Sequence, residues 1–501
     1  MGGRWSSIRG KALAGIGIGV PGRWVTPALV DEVLAEAGGT GAGQRFRSLP
    51  PRLGVYLVLG LCLFSGMSCR AVLEELAGGL GGPLAAAGWQ VPASTALTAV
   101  RRRLGEKPFE LLFRRLAGPL GAGTAPGARI CGLVAAAWDG TAVRAPASEA
   151  NIAAFGRAGG KEEGGHYPQV RLVTLIACGT RALLGAATGP WRGCGERALA
   201  GKLLPRLHAG MLLLADRGFY GYPLWTAAAA TGAQLLWRVS SSVNLQLIRP
   251  LPDGSRLAHI DDPAEVRRRV TRNGHRRRRG STLPPDTGPL PGITVRVIEF
   301  TLTLAADDGT SRTERYRLIT TLLDHRRYPA AALADGYAWR WAAETSFAEL
   351  KTYLHGPGRI LRSRTPDLAR QELRAYLVIC QLIRAVIALA AAGSGLDPGR
   401  ISFTAALHAI RRTMTTARAD PAAALAETEA AITAELVPRR EGRVCVRAVA
   451  RPFSPFPSRR HAKGPIAQHT TCTITICHTG PALITSTDQQ RHTQDQENAP
   501  P

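Results

Sequence analysis

The sequence predicts a mixed α/β protein that begins with helices and continues with a sheet. Residues 1–125 carry helix signals, because Thr26-Pro27 supplies a cap and a first-turn proline and Leu53–Met67 is an apolar run that suits a buried helix. From Arg129 onwards, short apolar runs bounded by turn residues alternate with helix-like stretches, which is typical of strands and helices around one sheet. We therefore expect a helical N-terminal domain followed by an α/β core.

The strand-like runs come in the order expected of such a sheet. Ile130–Trp138 stops at Asp139-Gly140 and Met211–Ala215 stops at Asp216, so each of these two runs ends at an acid. A helix-like segment, Glu196–His208, precedes the second of them. The candidate strands are residues 130–138, 167–177, 182–188, 211–215 and 234–239.

A basic, turn-rich insertion interrupts the pattern between residues 241 and 316. Eight arginines lie between Arg267 and Arg279, around the turn-forming pair Asn273-Gly274, and like charges at this density repel one another in isolation. We expect either a disordered loop or a segment that DNA orders. Ile293–Leu304 alternates polar and apolar residues, as a half-exposed strand does.

Helices dominate the predicted structure after the insertion. Tyr316–Leu323 predicts a returning strand, Tyr328–Leu354 a helix and Gln371–Ala391 a long apolar helix, with two more helices between residues 404 and 436. Pro, Thr, His and Gln dominate beyond Arg451 and predict a poorly ordered tail. The predicted parts are a helical domain (1–125), the core (126–240 and 317–395), the insertion (241–316), C-terminal helices (396–440) and the tail (441–501).

The composition points to a polyanionic partner. The chain has 63 Lys and Arg against 37 Asp and Glu, a net charge of +26, which favours nucleic acid over an uncharged ligand. Its nine cysteines form no CxxC pair, so the sequence favours a reducing cytoplasm over a zinc ribbon or a disulfide framework. The apolar run Leu53–Met67 is shorter than the roughly 20 residues that span a bilayer, so we expect no membrane partner.

Four polar residues of the predicted helix 328–354 share one face. Tyr337, Arg340, Glu344 and Lys351 fall within about 60° of one another on an ideal α-helix. A carboxylate that holds a metal, with Arg, Lys and Tyr to hold phosphate oxygens, is what phosphodiester chemistry requires. An amphipathic, solvated helix with i,i+4 pairing would show the same spacing, so the spacing alone leaves both interpretations open.

The pattern Tyr337-x2-Arg340-x3-Glu344-x6-Lys351 resembles the signature of the IS4 family of DDE transposases. Residues 361–376 are similar to the segment that follows the acid in that family, and residues 101–105 with the apolar run before them resemble its N-terminal domain. The resemblance covers roughly residues 45–440. It implies an RNase H-like catalytic core with a β-strand insertion, preceded by a helical domain for DNA binding or dimerisation.

Two further acids complete the site that the resemblance implies. Asp139-Gly140 alone is also a hairpin-turn signal, and Asp216 could simply close a strand. However, residues 151–156 and 216–222 resemble the family's segments at its first and second acids. The carried-over catalytic and metal-binding triad is Asp139, Asp216 and Glu344, which would hold two Mg²⁺ or Mn²⁺ ions, and the DNA-binding residues are Tyr337, Arg340 and Lys351.

The resemblance implies cut-and-paste transposition of an insertion sequence. The expected partners are double-stranded DNA at the transposon-end inverted repeats and at the target, with a homodimer in the DNA complex and a cytoplasmic, nucleoid-associated location. Two other interpretations stay open at this point. One is a transposase-derived DNA-binding protein that no longer cuts, and the other is a hydrolase that uses paired carboxylates on a sugar or ester, whose substrate would have to explain the charge of +26.

Overall fold

In the computed structural model, the described residues of the N-terminal part include five α-helices. They are α1 (Pro27–Glu36), α2 (Pro51–Leu63), α3 (Cys69–Ala77), α4 (Ser94–Leu104) and α5 (Lys107–Leu116), after a 3-10 turn at Val20–Arg23. The predicted cap at Thr26 is confirmed, since its Oγ1 accepts from the amide of Leu29, and Ser68 Oγ accepts from the amide of Ala71 in the same way. The structure describes residues 16–38, 49–78, 90–118, 120, 125, 128–157, 167–278, 287–306, 311–414, 420–434, 436–437 and 470–477.

The core is a mixed sheet whose first strands have the RNase H-like order. The short strand β1 (Arg129–Ile130) leads into β2 (Leu133–Arg144), which pairs antiparallel with β3 (Gln169–Ala177), and β3 pairs with β4 (Leu183–Pro190). On the other side of β2, β5 (Met211–Ala215) and then β6 (Gln234–Arg238) run parallel to it. The spatial order β4-β3-β2-β5-β6 confirms the predicted RNase H-like fold.

Three short helices connect these strands. They are α6 (Glu149–Phe155) between β2 and β3, α7 (Glu196–Gly201) between β4 and β5, and α8 (Tyr222–Ala229) between β5 and β6. The helix predicted over Glu196–His208 is shorter than expected, because Gly201 ends α7 and only a 3-10 turn follows at Leu204–Arg206. The face of the sheet under α7 and α8 buries Trp138, Trp225 and Trp237 in one aromatic cluster.

The insertion extends the core sheet. It contains β7 (Gln246–Pro250), β8 (Arg256–Asp261), a helix α9 (Pro263–Arg278) and β9 (Gly292–Ala306), and it returns through β10 (Ser311–Thr320), which pairs with both β9 and β6. The expectation of a disordered or turn-rich arginine segment is wrong for residues 263–278. Asp262 caps this helix at the amide of Ala264, and arginine is a good helix former, so Asn273-Gly274 lies within the helix.

The C-terminal part begins with a helical segment that departs from α-helical winding at two places. It runs from α10 (Ala330–Tyr337) through a 3-10 turn at Ala338–Arg340 and α11 (Trp341–Ala348) to a π-helical stretch at Glu349–Leu354. After it come α12 (Pro366–Ser394), α13 (Phe403–Arg412) and α14 (Pro421–Thr433). The predicted tail needs one correction, because Thr470–Ile476 form β11, which pairs antiparallel with β9.

Helix α12 joins the N-terminal helices to the core. It packs on α2 and α5, and one cluster of buried apolar side chains extends from the N-terminal helices to the sheet. The guanidinium of Arg101 is buried in this junction and donates to Ser363 and Gln371. By length and composition α12 could span a bilayer, but 83% of its most apolar window is buried inside the protein, as in a core helix.

Candidate active site

The ends of the parallel strands bring the first two acids together. The pairing of β2 with β5 aligns Val134 with Met211 and Ala137 with Leu214, so the same register extended by two residues aligns Asp139 with Asp216. Neighbouring strands lie about 4.8 Å apart, which sets the scale of the separation of these two residues. One expectation needs correction here: Asp139 does not end its strand, because β2 continues to Arg144 through antiparallel pairing with β3.

The next parallel strand adds a cation that the sequence analysis missed. The pairing of β5 with β6 aligns Ala215 with Trp237, so Arg238 continues the row formed by Asp139 and Asp216. Its Nη1 lies 4.0 Å from Oδ1 of Asp216, and its guanidinium stacks on the ring of Tyr316 at 4.1 Å from the ring centre. The signal was available, since Arg238 stands at the carboxyl end of a buried parallel strand, just as Asp216 directly follows one.

Burial and neighbouring charges act on Asp139. Burial raises its pKa above the ordinary value, and the negative charges of Glu196 and Asp216 raise it further. The amide of Gly140, which donates to Oδ1 at 2.8 Å, and the positive charge of Arg340 act in the opposite direction. One electrostatic site therefore contains Asp139, Asp216 and Arg340, although these residues come from three separate parts of the chain.

The 3-10 turn and α11 place Arg340 and Glu344 over β2. Nη2 of Arg340 donates to Oε1 of Glu344 at 3.1 Å, across one helical turn. Arg340 is 8% exposed, and its Nε is buried without an acceptor. This guanidinium therefore holds one carboxylate directly and has a further donor that faces no protein acceptor.

Tyr337 lies inside the protein, which was not expected. It is 4% exposed, and its hydroxyl donates to the backbone carbonyl of Ala215 at 3.1 Å. The 3-10 turn after it tightens the winding, so an ideal helical wheel assigned its direction incorrectly. In this position the hydroxyl does not support the predicted hydrogen bond to a DNA phosphate; it fixes the end of β5 immediately before Asp216.

Lys351 reaches the site from the π-helical stretch. Its Nζ donates to Oγ1 of Thr141 at 3.1 Å, two residues after Asp139 on β2. The residue is exposed, so its ammonium group lies at the accessible edge of the site. Arg340 and Lys351 thus lie beside the same strand as Asp139, as the phosphate-binding roles predicted for them require.

Glu349, between Glu344 and Lys351, anchors the segment. Its carboxylate is 2% exposed, accepts from Nη1 of Arg181 at 2.6 Å and pairs with the fully buried Arg384 of α12. Arg181 lies in the turn between β3 and β4 with a positive φ of 55°. Three separate parts of the chain therefore converge on Glu349, and sequence spacing gave no signal for this buried network.

A fourth carboxylate, Glu196, lies against the strand next to Asp139. A Cβ atom added to Gly140 would come within 2.6 Å of Oε1 of Glu196, so any larger residue at position 140 would displace this carboxylate. The same oxygen accepts from Nη1 of Arg171 at 3.4 Å, and that guanidinium stacks on Trp191. Glu196 is thus a charged neighbour of Asp139 that the sequence analysis did not identify.

The acids suit a hard divalent cation. All three offer carboxylate oxygens, and Oδ1 of Asp216 is buried without a hydrogen-bond donor. Among the residues that the structure describes, no three His, Cys, Asp or Glu side chains are grouped as a ready set of ligands. Carboxylates repel one another at close range, so the pairing of Glu344 with Arg340 is the arrangement that electrostatics favours in the protein alone.

Comparisons with known proteins agree with this architecture. Residues 17–114 match the family described as "Insertion element 4 transposase N-terminal", and residues 132–382 match "Transposase DDE domain". The chain is 27% identical to the transposase InsG for insertion sequence element IS4 of Escherichia coli, over 79% of this chain and 82% of InsG. It also aligns with the piggyBac transposase synaptic complex with hairpin DNA, at 9% identity and a TM-score of 0.41, over 82% of this chain and 84% of that one. The chain therefore belongs to the IS4 family of DDE transposases.

Proposed function

We propose that this transposase moves its insertion sequence by a cut-and-paste reaction in which Asp139, Asp216 and Glu344 carry out the chemistry. The observation that supports the proposal is the common register of Asp139 and Asp216, which lie side by side just beyond the paired residues of the parallel strands β2 and β5. The Arg340–Glu344 pair is packed over the same strand, β2. Open parallel sheets place their reactive groups at this edge.

The three carboxylates would together hold two Mg²⁺ or Mn²⁺ ions, which supply Lewis acidity at the phosphodiester and lower the pKa of the attacking water. Water hydrolyses the bond at the transposon end and leaves a 3′-hydroxyl. That hydroxyl then attacks the phosphodiester of the opposite strand, which closes a hairpin on the transposon end and releases the flanking DNA. A second water hydrolyses the hairpin and regenerates the 3′-hydroxyl, which finally attacks a phosphodiester of the target and displaces its 3′-oxygen. No covalent bond to the protein forms at any stage, so the protein's own contribution is to position the groups that react.

Arg340 and Lys351 position the DNA phosphates. In the protein alone each is held by a weak, exchangeable partner: Glu344 for Arg340 and Thr141 for Lys351. Phosphate oxygens are charge-assisted acceptors for both cations, and a phosphate that binds Arg340 in place of Glu344 frees this carboxylate to join the two aspartates. Tyr337 takes no phosphate in this proposal and acts as a positioning residue for Asp216, through Ala215.

The proposed partners are the inverted repeats at the transposon ends and the target duplex. The net charge of +26 supports polyanionic partners of this kind. We further propose that two copies of the chain act as a homodimer in the DNA complex, and that the protein works in the cytoplasm on nucleoid DNA. A 125-residue helical N-terminal domain would contribute to DNA binding or to dimerisation.

The substitution Glu344→Gln tests the proposal. It keeps the shape of the side chain and removes its charge, so we expect binding of a labelled transposon end to stay near the wild-type value while cleavage falls by orders of magnitude. The matched control is Glu427→Gln, an exposed glutamate of α14. Cleavage at the wild-type rate by Glu344→Gln would refute the assignment of this acid.

A nicking assay on the wild-type protein separates an active transposase from a transposase-derived DNA-binding protein that no longer cuts. An active transposase nicks the end in the presence of Mg²⁺ or Mn²⁺ and does not do so in the presence of a chelator. A protein that binds the ends and nicks them with neither ion would instead be the inactive, transposase-derived DNA-binding protein. The intact set of Asp139, Asp216 and Glu344 favours the first outcome.

A further inference from the structure

The helical segment that carries Glu344 and Lys351 changes its winding between these two residues. Helix α11 gives way to the π-helical stretch at Glu349, and the amide of His355 donates to the carbonyl of Leu350, five residues earlier. A π-helix has more residues per turn than an α-helix, so each residue turns the chain through a smaller angle. The direction of Lys351 relative to Glu344 therefore depends on where the π-helical winding begins.

Two arginines from other parts of the chain hold the residue at which the winding changes. Glu349 is 2% exposed, accepts from Nη1 of Arg181 at 2.6 Å and pairs with Arg384, which is buried in α12. Nη2 of Arg181 also donates to the carbonyl of Gly399 at 2.8 Å. Because Arg181 lies in the turn between β3 and β4, the three charged side chains connect this turn, α12 and the catalytic segment.

The cluster of Arg181, Glu349 and Arg384 is a poor way to stabilise a fold. Burial disfavours the charge of Arg384 and lowers its pKa, and its Nε and Nη1 find no acceptor among the described residues. Arg181 has a φ of 55°, a left-handed conformation that is uncommon for a residue other than glycine. Apolar residues of similar volume often stabilise a protein as well as a buried ion pair does. A requirement for one particular arrangement explains the cluster better than stability does.

The arrangement that the cluster specifies is that of the helical segment at the active site. On an ideal α-helix, Glu349 would lie about 140° from Glu344, and Lys351 about 20° from it. Glu349 accordingly faces the interior, whereas Nζ of Lys351 donates to Thr141 of β2. Helix α11 packs on β2, and the π-helical stretch packs on α12 and α13. Glu349 is therefore the fixed point between the part of the segment that bears the acid and the part that bears the cation.

We propose that Glu349, together with Arg181 and Arg384, is a positioning residue for strand cleavage. By fixing the start of the π-helical winding, the cluster sets the separation and the relative direction of Glu344 and Lys351 at the scissile phosphate. The inference rests on the roles proposed above for Glu344 and Lys351. It assigns no contact with DNA to any of the three clustered side chains.

Single-turnover cleavage of a transposon end that is already bound tests the proposal, because it counts only protein that is folded and bound. One variant is Glu349→Gln. The second, Glu349→Leu with Arg384→Met, removes the buried pair as a whole and replaces it by apolar side chains of similar volume, a change that often preserves stability. In this double variant Arg181 keeps the carbonyl of Gly399 as its acceptor.

The matched control is Glu299→Gln. Glu299 is also buried and accepts hydrogen bonds from arginines, so its loss destabilises the fold in the same way. It lies on β9, which β6 and β10 separate from β5 in the sheet, and it shares no partner with Glu349. Circular dichroism confirms that each variant is folded at the temperature of the assay.

We expect both Glu349 variants to cleave the bound end more slowly than the wild type, by roughly 10- to 100-fold, because small displacements of reacting groups have effects of this size. Affinity for the end should fall by less than about tenfold, since only the phosphate contact of Lys351 is disturbed. Glu299→Gln should cleave the bound end within about threefold of the wild-type rate, because the two sites are independent.

A folded Glu349→Leu/Arg384→Met variant that cleaves at the wild-type rate would overturn the proposal, and so would an equal fall in Glu299→Gln. If the double variant does not fold, Glu349→Asp decides, because it keeps the charge and draws the carboxylate back by one methylene group. Wild-type cleavage by that variant would also count against positioning. Cleavage by Glu344→Gln would refute the proposed function itself, whereas an inactive Glu344→Gln beside a fully active double variant refutes only the positioning role.

Discussion

Glu344 and Glu349 lie five residues apart on one helical segment, yet their surroundings differ. The side chain of Glu344 is 26% exposed and shares Arg340 through a single hydrogen bond of 3.1 Å. Glu349 is 2% exposed and lies between two arginines, one of them fully buried. The carboxylate of Glu344 can exchange its partner when DNA binds. Loss of the Glu349 carboxylate would instead leave two cations unpaired in a low-dielectric interior.

Two other acids of the chain differ in exposure and pairing in the same way. Asp216, with a side chain that is 37% exposed and an arginine 4.0 Å away, resembles Glu344. Glu299 of β9 resembles Glu349, because it is 3% exposed and accepts hydrogen bonds from Arg256, Arg315 and Arg317. The buried acids Glu299 and Glu349 hold elements together, whereas Asp216 and Glu344 are partly exposed and have looser partners.

The largest effect on stability is expected for Glu349→Gln. It leaves the charges of Arg181 and Arg384 buried without a carboxylate, which typically costs about 3–5 kcal/mol when one partner of a buried ion pair is removed. Denaturant unfolding followed by circular dichroism measures this loss. Glu344→Gln is the control, because Glu344 is itself 26% exposed and pairs with one arginine, so its loss should cost clearly less than that of Glu349. Equal losses of stability in the two variants would contradict the proposed difference between Glu349 and Glu344.

The lowered pKa of Glu299 predicts that the stability of the folded protein depends on pH. Burial alone would raise its pKa, but hydrogen bonds and charges from Arg256 and Arg317 outweigh burial and lower the pKa from 4.5 to about 2. A pKa that is lower in the folded state gives stability that is present above pH 4.5 and lost as the pH falls toward 2. The full contribution is about 3 kcal/mol.

The measurement compares wild type and Glu299→Gln across the same pH range. The variant should be less stable at pH 7, and it should lose less stability than the wild type between pH 5 and pH 3. The exposed pair of Arg70 and Glu74 supplies the control, since Glu74→Gln should follow the wild-type pH profile. Parallel profiles for wild type and Glu299→Gln would show that Glu299 is not held in this way.

The sequence predicted the sheet and its acids because these depend on local patterns. Apolar runs of strand length located β3, β5 and β6, and Asp216 follows its run directly. The end of β2 was not predictable from the same rule, because Asp139-Gly140 is a strong turn signal that pairing with β3 overrides over the next five residues. The helix α9 was missed for a related reason: charge repulsion argued against order, whereas the cap at Asp262 and the helix propensity of arginine favour it.

The face formed by Tyr337, Arg340, Glu344 and Lys351 was only partly predictable. An ideal wheel assumes 3.6 residues per turn, but the segment contains a 3-10 turn and a π-helical stretch that begins at Glu349. The position of Glu349 is set by Arg181 and Arg384, which are 168 and 35 residues away in the sequence, so local spacing cannot reveal the change in winding. Tyr337 consequently points into the protein, and the two cations and Glu344 remain at the edge.

A smaller effect on stability is expected for Tyr337→Phe, and this variant also tests the role of the Tyr337 hydroxyl. The variant loses one buried hydrogen bond, to the carbonyl of Ala215, which costs about 1 kcal/mol. We expect end binding to be unchanged and cleavage to fall several-fold, because the end of β5 that carries Asp216 is less well fixed. If the hydroxyl instead donated to a DNA phosphate, end binding would weaken and the stability of the free protein would stay the same.

The smallest effect on the fold is expected for Thr141→Val, which removes the acceptor of Lys351 Nζ and keeps the shape of the residue. The contact is exposed, so stability should change by less than about 0.5 kcal/mol. If Lys351 turns to a phosphate in the DNA complex, Thr141→Val should cleave a transposon end at close to the wild-type rate, whereas Lys351→Met should bind and cleave it poorly. If Thr141→Val cleaves the transposon end as poorly as Lys351→Met, the two residues act as a fixed pair. Lys351 would then have a structural role, like Glu299 and Glu349.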